Sequence, residues 1–356
     1  MHRQLLLYLA SSERPSLSWD KALLNLARRH GLTPLLYKRV KESKSRNEIP
    51  KWFLNELKKD YLYSFATYTY QTKTLKQVLQ AFREAQIPLM ILKGLVLGQA
   101  VYENGILRPA VDIDILVDEK YLDKAKKILF TLGYKHPFVL KEPRPGFIKR
   151  FRDEISLISP EGVPLDLHWR LIGPLYYYNL ALSRIWQKCV KLQINGMTVR
   201  TPSIEHTIIY LCLHYFKHKG ISLRHFLDIY LLIKNQKMDW TVFLEEVKWF
   251  HVERPVYLLF NEILKINQNL IPWFVLNTLK NYKPKRWEDK VIKGDLSYIR
   301  QKFCFLSNFP GFKRKIQYLY SVIFPQKTFL IQEHGSPSQI ARFIYFAKKI
   351  RFNKGD

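Results

Sequence analysis

Two aspartates interrupt an otherwise apolar stretch of the sequence. Asp112 and Asp114 lie in "AVDIDILV", whose other residues are typical of a buried β-strand. Side chains two positions apart on a strand point to the same face, so the two carboxylates are expected to project together. Val111, Ile113 and Ile115 would then face the core. Because unpaired carboxylates on a half-buried strand repel each other and resist desolvation, the pattern predicts a cation beside them.

A third acid occurs in "VPLDLHW", which alternates in the same way. Asp166 and His168 share one face, and the apolar residues share the other. If this segment lies beside the first strand, Asp166 completes a set of three carboxylates with Asp112 and Asp114. Such oxygen ligands suit Mg²⁺ or Mn²⁺, and two ions could activate a hydroxyl and neutralise a phosphate leaving group. His168 is either a residue of the substrate cleft or a hydrogen-bonded structural histidine.

A phosphate-binding element is expected upstream, at "ILKGL". A strand end is followed there by Lys93 and Gly94, and glycine lets the backbone approach phosphate oxygens at the start of the next helix. Arg108 lies in the loop between this junction and the aspartates. It is either a clamp on phosphate or one half of a salt bridge to an acid, and the sequence leaves both roles open.

The surrounding elements predict an α+β fold in which a small mixed β-sheet is flanked by helical regions. Hydrophobic periodicity indicates helices in residues 1–86, with Ser18 as an N-cap, followed by a sheet-containing core in residues 87–175. Helices are expected again in residues 176–270, where they would close a cleft against the core. Residues 271–356 form a basic, aromatic C-terminal region. Within it, residues 280–356 contain 17 Lys and Arg against 5 Asp and Glu.

Two histidines lie four positions apart in the helix predicted after Ser203. The spacing of His214 and His218 is that of a two-histidine metal site, but Tyr215 stands where a metalloprotease would need glutamate. The histidines and Lys217 are therefore candidates for a substrate cleft facing the core. The alternative is a structural role, in which they bond to Arg224 or Asp228 on the next helix.

The charge of the chain favours anionic partners. The 58 Lys and Arg exceed the 30 Asp and Glu by 28, an excess that attracts nucleotides, RNA or other polyanions. A basic composition that serves only solubility is the simpler alternative. The basic C-terminal region could bind a polynucleotide, because its rings can stack on bases, or its aromatics could belong to a core.

Cysteine usage and hydropathy bear on location. Cys189, Cys212 and Cys304 are far apart, which argues against a disulfide framework or a zinc site. The N-terminal apolar run lacks a convincing cleavage site, and no run approaches the roughly 18 residues that span a bilayer. We expect a cytoplasmic protein without a membrane span.

The order of these motifs resembles a known family. LKG, an arginine before DIDILV and a D-L-H-W strand are similar to the uncharacterised nucleotidyltransferase family within the superfamily of DNA polymerase β type, over roughly residues 20–235. The resemblance implies that Asp112 and Asp114 hold the metals, that Asp166 completes the site and is a candidate base, and that Gly94 approaches the triphosphate. Leu95 replaces the usual serine after the glycine, so Lys93 or Arg108 would supply that phosphate contact.

The resemblance implies a Mg²⁺-dependent enzyme that moves a nucleoside monophosphate from an NTP to a hydroxyl, with release of pyrophosphate. The hydroxyl could belong to RNA, a protein or a small molecule. Two alternatives remain at this point. One is a catalytically silent protein of the same fold that binds nucleic acid, and the other is an enzyme acting on a small molecule or protein side chain, for which the charge is incidental.

Overall fold

The computed structural model describes residues 1–10, 15–43, 46–137, 144–173, 178–218, 220–284, 288–292 and 312–324, with isolated residues at 330, 338 and 340. Helices dominate it on both sides of a small sheet, which confirms the predicted α+β class. The helices are α1 (His2–Ala10), α2 (Lys21–Arg29), α3 (Thr33–Lys41), α4 (Lys51–Glu84), α5 (Lys93–Val101), α6 (Leu122–Thr131), α7 (Phe147–Phe151), α8 (Leu182–Gln187), α9 (Ile204–Lys217), α10 (Leu223–Asn235), α11 (Trp240–Trp249), α12 (Glu253–Leu264), α13 (Trp273–Lys280), α14 (Glu288–Ile292) and α15 (Phe312–Ile323).

The central sheet has four strands in the order β1-β2-β4-β3. Its strands are β1 (Met90–Ile91), β2 (Ile113–Leu116), β3 (Glu154–Ile158) and β4 (Pro164–His168). β2 and β4 run parallel at the centre, and β1 and β3 pair antiparallel at the edges. A separate hairpin consists of β5 (Val190–Ile194) and β6 (Met197–Thr201). The sheet is therefore mixed, as the sequence indicated.

The strand that carries the aspartate motif is shorter than expected. β2 begins at Ile113, so Asp112 lies just before the strand. Ile113 and Ile115 are buried as predicted, but Val111 is 69% exposed. The expectation for Val111 was wrong, because the alternation of faces applies only within the paired part of a strand.

The longest helix, α4, extends over 34 residues and ends just before Ile87 and Pro88, where the sequence placed its end. The cap predicted for α2 was misplaced. Asp20, and not Ser18, caps that helix, and its carboxylate accepts a hydrogen bond of 2.8 Å from the amide of Leu23. Asp20 holds this role because it directly precedes the first helical residue, where a side-chain oxygen can reach the free amides of the first turn.

Two hydrophobic cores stabilise the molecule, and they do not follow chain order. One joins the N-terminal helices to α9–α13, so that the amine of Lys234 on α10 donates to the carbonyl of Ala10 at 2.7 Å. The other lies between the sheet, the second half of α4, α6 and the hairpin. The aspartate motif lies between the two cores, since Ile113 and Ile115 belong to the second and Leu116 to the first.

No helix among the described residues is long and apolar enough to cross a membrane. The chain divisions at residues 86, 175 and 270 stay predictions. Of the predicted C-terminal region, 271–356, most of the sequence after residue 292 lies outside the described residues.

Candidate active site

The parallel pairing of β2 and β4 brings two of the predicted acids together. Asp114 lies directly opposite Asp166, and Leu116 lies opposite His168. The side chains of Asp114, Asp166 and His168 offer three ligand atoms that all lie within 4.8 Å of one another. The "VPLDLHW" strand therefore lies beside the strand that carries Asp114, which is the condition that the sequence analysis set for bringing Asp166 to the site.

Two cationic or polar groups contact one oxygen of the Asp114 carboxylate. Lys93 Nζ lies 3.1 Å from Oδ1, and His168 Nε2 lies 3.0 Å from the same atom. Burial by itself would raise the pKa of Asp114, but the Lys93 ammonium and the His168 hydrogen bond lower it to about 2. Asp114 is therefore ionised at neutral pH although it is buried.

The second oxygen of this carboxylate has no partner. Asp114 Oδ2 is buried and, among the described residues, accepts no hydrogen bond. An unpaired buried carboxylate oxygen lowers the stability of the fold, unless a cation binds it as a ligand. The group of Asp114, Asp166 and His168 fits a divalent metal, for which carboxylate and imidazole are common ligands.

Asp112 lies near this cluster without being part of the three-ligand group. Burial and the neighbouring charge of Asp114 raise the pKa of Asp112 to about 6, and Asp166 adds to the effect. The Lys93 ammonium opposes the rise. Asp112 therefore shares the electrostatic environment of the other two acids, and a bound cation would favour its ionised form.

Lys93 and Gly94 begin α5 directly after β1. Burial would lower the pKa of the Lys93 amine, but Tyr210 and the acids Asp114 and Asp112 raise it, so the amine stays charged. Gly94 has φ 29°, a value that favours glycine, and an added Cβ would lie 3.3 Å from the Cβ of Ala110. The glycine thus allows a sharp turn that places the lysine against the acids.

Arg108 takes the second of its two predicted roles. Its Nε and Nη2 atoms donate to the two carboxylate oxygens of Asp228 on α10, at 3.0 and 2.7 Å. The hydroxyl of Tyr102 donates to the same carboxylate at 2.7 Å. Arg108 is only 5% exposed, and its two bonds to Asp228 hold the loop against the helical region. The geometry therefore favours the salt-bridge role over contact with phosphate.

The histidines and lysine of α9 divide between two environments. His214 Nε2 lies 3.4 Å from Lys93 Nζ, so His214 borders the acid cluster, by which we mean Asp112, Asp114 and Asp166. Burial and the Lys93 charge lower the pKa of His214, which keeps the ring neutral and able to accept from the lysine. The ring of His218 lies 4.6 Å from that of His214. Lys217 instead donates to Asp153 at 3.0 Å.

Three further residues at the site were not predicted from the sequence. Glu154 Oε2 lies 3.1 Å from His168 Nδ1, so His168 lies between two carboxylates. The register of the β3–β4 hairpin, which places Glu154 opposite His168, could have indicated this contact. Tyr210 and His225 come from the helical region, and no local sequence pattern indicated that they would lie at the site.

Comparison with known protein families identifies the chain. Residues 15–261 match the family described as uncharacterised nucleotidyltransferase. The chain belongs to this family. The family resemblance read from the LKG, DID and DLHW motifs is thereby confirmed, and transfer of a nucleotidyl group is the general class of activity for this nucleotidyltransferase. No curated protein sequence matches it.

Solved structures similar to this nucleotidyltransferase include two of the antibiotic-resistance factor ANT(2″)-Ia. A solution structure has 17% sequence identity and a TM-score of 0.37, and covers 55% of this chain and 97% of its own. A crystal structure in complex with adenylyl-2″-tobramycin has 16% identity and a TM-score of 0.37, and covers 52% of this chain and 99% of its own. Similarity at this level does not bear on the substrate.

Proposed function

We propose that the protein is a Mg²⁺- or Mn²⁺-dependent enzyme that transfers a nucleoside monophosphate from an NTP to a hydroxyl acceptor. The acceptor oxygen forms a bond to the α-phosphorus, the bond to the bridging oxygen breaks, and pyrophosphate leaves. One observation carries the proposal: Asp114, whose buried Oδ2 has no hydrogen-bond partner among the described residues, shares a potential ligand group with Asp166 and His168. A charged, unsatisfied oxygen beside a second carboxylate on the neighbouring parallel strand is a ligand position for a cation.

The residues of the site have different proposed roles in metal binding and catalysis. Asp114 and Asp166 would hold the metal, with Asp112 beside them, and Asp166 is the candidate base for the acceptor hydroxyl. A bound divalent ion would lower the pKa of that hydroxyl and neutralise charge on the phosphates. His168 orients the Asp114 carboxylate through its 3.0 Å contact, and Glu154 lies against the other side of the ring.

Lys93 is the proposed triphosphate ligand of this chain. Its ammonium carries three hydrogens, and the contacts to Asp114 and His214 use two of them. The third can reach a phosphate oxygen, which supplies the interaction lost with the serine that Leu95 replaces. Gly94 keeps the turn open for the approach of the phosphates. Arg108 acts by positioning the loop through Asp228, without contacting the nucleotide.

The test is transfer of label from α-labelled NTPs in the presence of Mg²⁺ and a cell lysate, followed by separation of RNA, protein and small molecules. Asp114→Asn should reduce transfer on the order of a thousandfold or more, because the metal supplies several kcal/mol of stabilisation. Asp123→Asn is the matched control, because Asp123 is an exposed acid on α6. Undiminished transfer by a folded Asp114→Asn protein would rule the assignment out.

A catalytically silent nucleic-acid-binding protein is the second candidate, and the excess of 28 positive charges favours it. The two candidates differ in their need for metal. The enzyme binds NTP only with Mg²⁺ and through the aspartates, whereas a binding protein holds RNA without metal, with an affinity that falls steeply as salt is added.

A further inference from the structure

A groove of about 410 Å³ lies between the C-terminal end of α4 and the β5–β6 hairpin. Its floor is apolar and includes Phe82, Ile87 and Val199, which are almost fully buried. The groove is separate from the candidate active site, because neither Lys93 nor any residue of the Asp114, Asp166 and His168 group lines it.

Three cations surround the apolar floor. Arg83 belongs to the last turn of α4, and Lys191 and Arg200 belong to the hairpin. The hairpin register places Lys191 directly opposite Arg200, an arrangement of like charges that destabilises a pair of strands. All three side chains are exposed, and none forms an ion pair with an acid in the part of the chain that the structure describes. An anion in the groove would relieve this repulsion.

Gln86 adds an amide to the rim. It has φ 56° in the turn that ends α4, where the amide of Ile87 bonds to the carbonyl of Phe82 at 2.8 Å. That conformation favours glycine, and Gly133 occupies the same position at the end of α6. At the end of α4 the chain instead keeps a side chain that can donate and accept hydrogen bonds beside the cations.

We propose that this groove binds a small amphiphilic anion, a molecule with an apolar body and a carboxylate, phosphate or sulfonate group. The body would lie on Leu79 and Pro88, the apolar lining residues that keep exposed surface, and the anionic group would lie between Lys191 and Arg200. The volume falls within the range of about 300 to 1,000 Å³ that is usual for small-molecule sites. The proposal is independent of the nucleotidyl transfer, because its residues and its charges are separate from the acid cluster.

The test uses octanoate as the anionic probe and octan-1-ol as the uncharged probe with the same apolar body. Titration calorimetry of the full chain with octanoate should give saturable binding to one site. Lys191→Gln and Arg200→Gln should each weaken it by roughly tenfold, the effect of losing one charge-assisted contact. Octan-1-ol should bind more weakly, with an affinity that neither substitution changes.

The matched control is Lys76→Gln, which removes an exposed positive charge from the same helix α4 outside the groove. It should leave octanoate affinity within about twofold of the unaltered chain, since exposed charges at a distance are screened by salt. Gln86→Gly provides a variant whose fold is secure, because glycine adopts positive φ readily, and it should also weaken octanoate binding.

Two results of the calorimetry would overturn the proposal. One is an absence of saturable octanoate binding. The other is binding that the double variant Lys191→Gln/Arg200→Gln leaves unchanged while thermal melting shows it folded. Sedimentation of the same samples tests whether a second copy of the chain occupies the groove instead. If octanoate affinity falls as dimers form, the groove is an interface between two copies, and the small-anion proposal is rejected.

Discussion

Lys93 Nζ lies 3.1 Å from Asp114 Oδ1, so a buried lysine already occupies one side of the carboxylate proposed to bind metal. The side chain of Asp114 is 1% exposed, and that of Lys93 is 14% exposed. Their attraction keeps both groups charged in a site from which water is largely excluded. The lysine and a divalent ion would therefore repel each other while sharing the same carboxylate.

Replacing Lys93 with methionine should consequently change metal and nucleotide binding in opposite directions. Without the ammonium, Mn²⁺ should bind at least about tenfold more tightly, because one nearby positive charge is removed. NTP should bind more weakly, because a phosphate ligand is lost. Titration calorimetry with each ligand measures both effects. A variant that binds Mn²⁺ less tightly than the unaltered protein would contradict the proposed arrangement.

The metal ligands should differ in their effect when no nucleotide is present. Asp114→Asn and Asp166→Asn should each weaken Mn²⁺ binding by about tenfold or more, because both residues belong to the three-ligand group. Asp112→Asn should retain most of the affinity, since Asp112 lies outside that group. Asp123→Asn should have no effect. Calorimetric titration gives all four values, and an equal loss for Asp112→Asn would place it in the primary ligand set.

Arg108 should act on stability more than on nucleotide binding. Arg108→Met leaves the buried carboxylate of Asp228 without its cation, and such a loss costs about 3 to 5 kcal/mol of unfolding free energy. Arg28→Met is the control, because Arg28 pairs with Asp60 at the surface, where a pair contributes about 1 kcal/mol or less. Urea unfolding measures both. A stable Arg108→Met protein with weakened NTP binding would restore the phosphate-clamp role.

Gly94→Ala should reduce stability and nucleotide binding together. The φ of 29° and the 3.3 Å approach to Ala110 make a side chain unfavourable there by about 1 to 3 kcal/mol. Gly162→Ala is the comparison, since Gly162 has φ 82° but no atom of the described residues lies within 4 Å of an added Cβ. Both should lower the unfolding free energy, and only Gly94→Ala should weaken NTP binding. Equal NTP affinity in the two variants would refute the role of Gly94.

Glu246 should make stability depend on pH in the acid range. Burial would raise its pKa, but Arg184, Lys188 and His206 donate to the carboxylate and lower it to about 2. Because the folded-state pKa lies below the unfolded value, the stabilisation is complete above about pH 4.5 and is lost as pH falls toward 2. The difference in unfolding free energy between the unaltered chain and Glu246→Gln should shrink over that interval.

The control for this measurement is Glu245→Gln, which removes the adjacent exposed acid. Its unfolding free energy should follow that of the unaltered chain across the same pH range. If the unfolding free energy of Glu246→Gln also equals that of the unaltered chain at all pH values, the buried carboxylate contributes no net stability.

The sequence by itself determined the class of fold and the residues of the acid cluster. Alternation around Asp114 and Asp166 is a local pattern that follows from strand geometry, and the LKG, DID and DLHW motifs were sufficient to indicate the family. Helix periodicity likewise located α4, α9 and α10, because a stripe of apolar residues is encoded within each segment.

Only the tertiary structure decided which partners these residues have. Asp114 and Asp166 are opposite because β2 and β4 pair in parallel, and Arg108 meets Asp228 although 120 positions separate them. The exposure of Val111 and the contact of Lys93 with His214 likewise depend on where a strand ends and how helices pack. Local sequence encodes the face on which a side chain lies, whereas sheet register and helix packing determine which groups meet there.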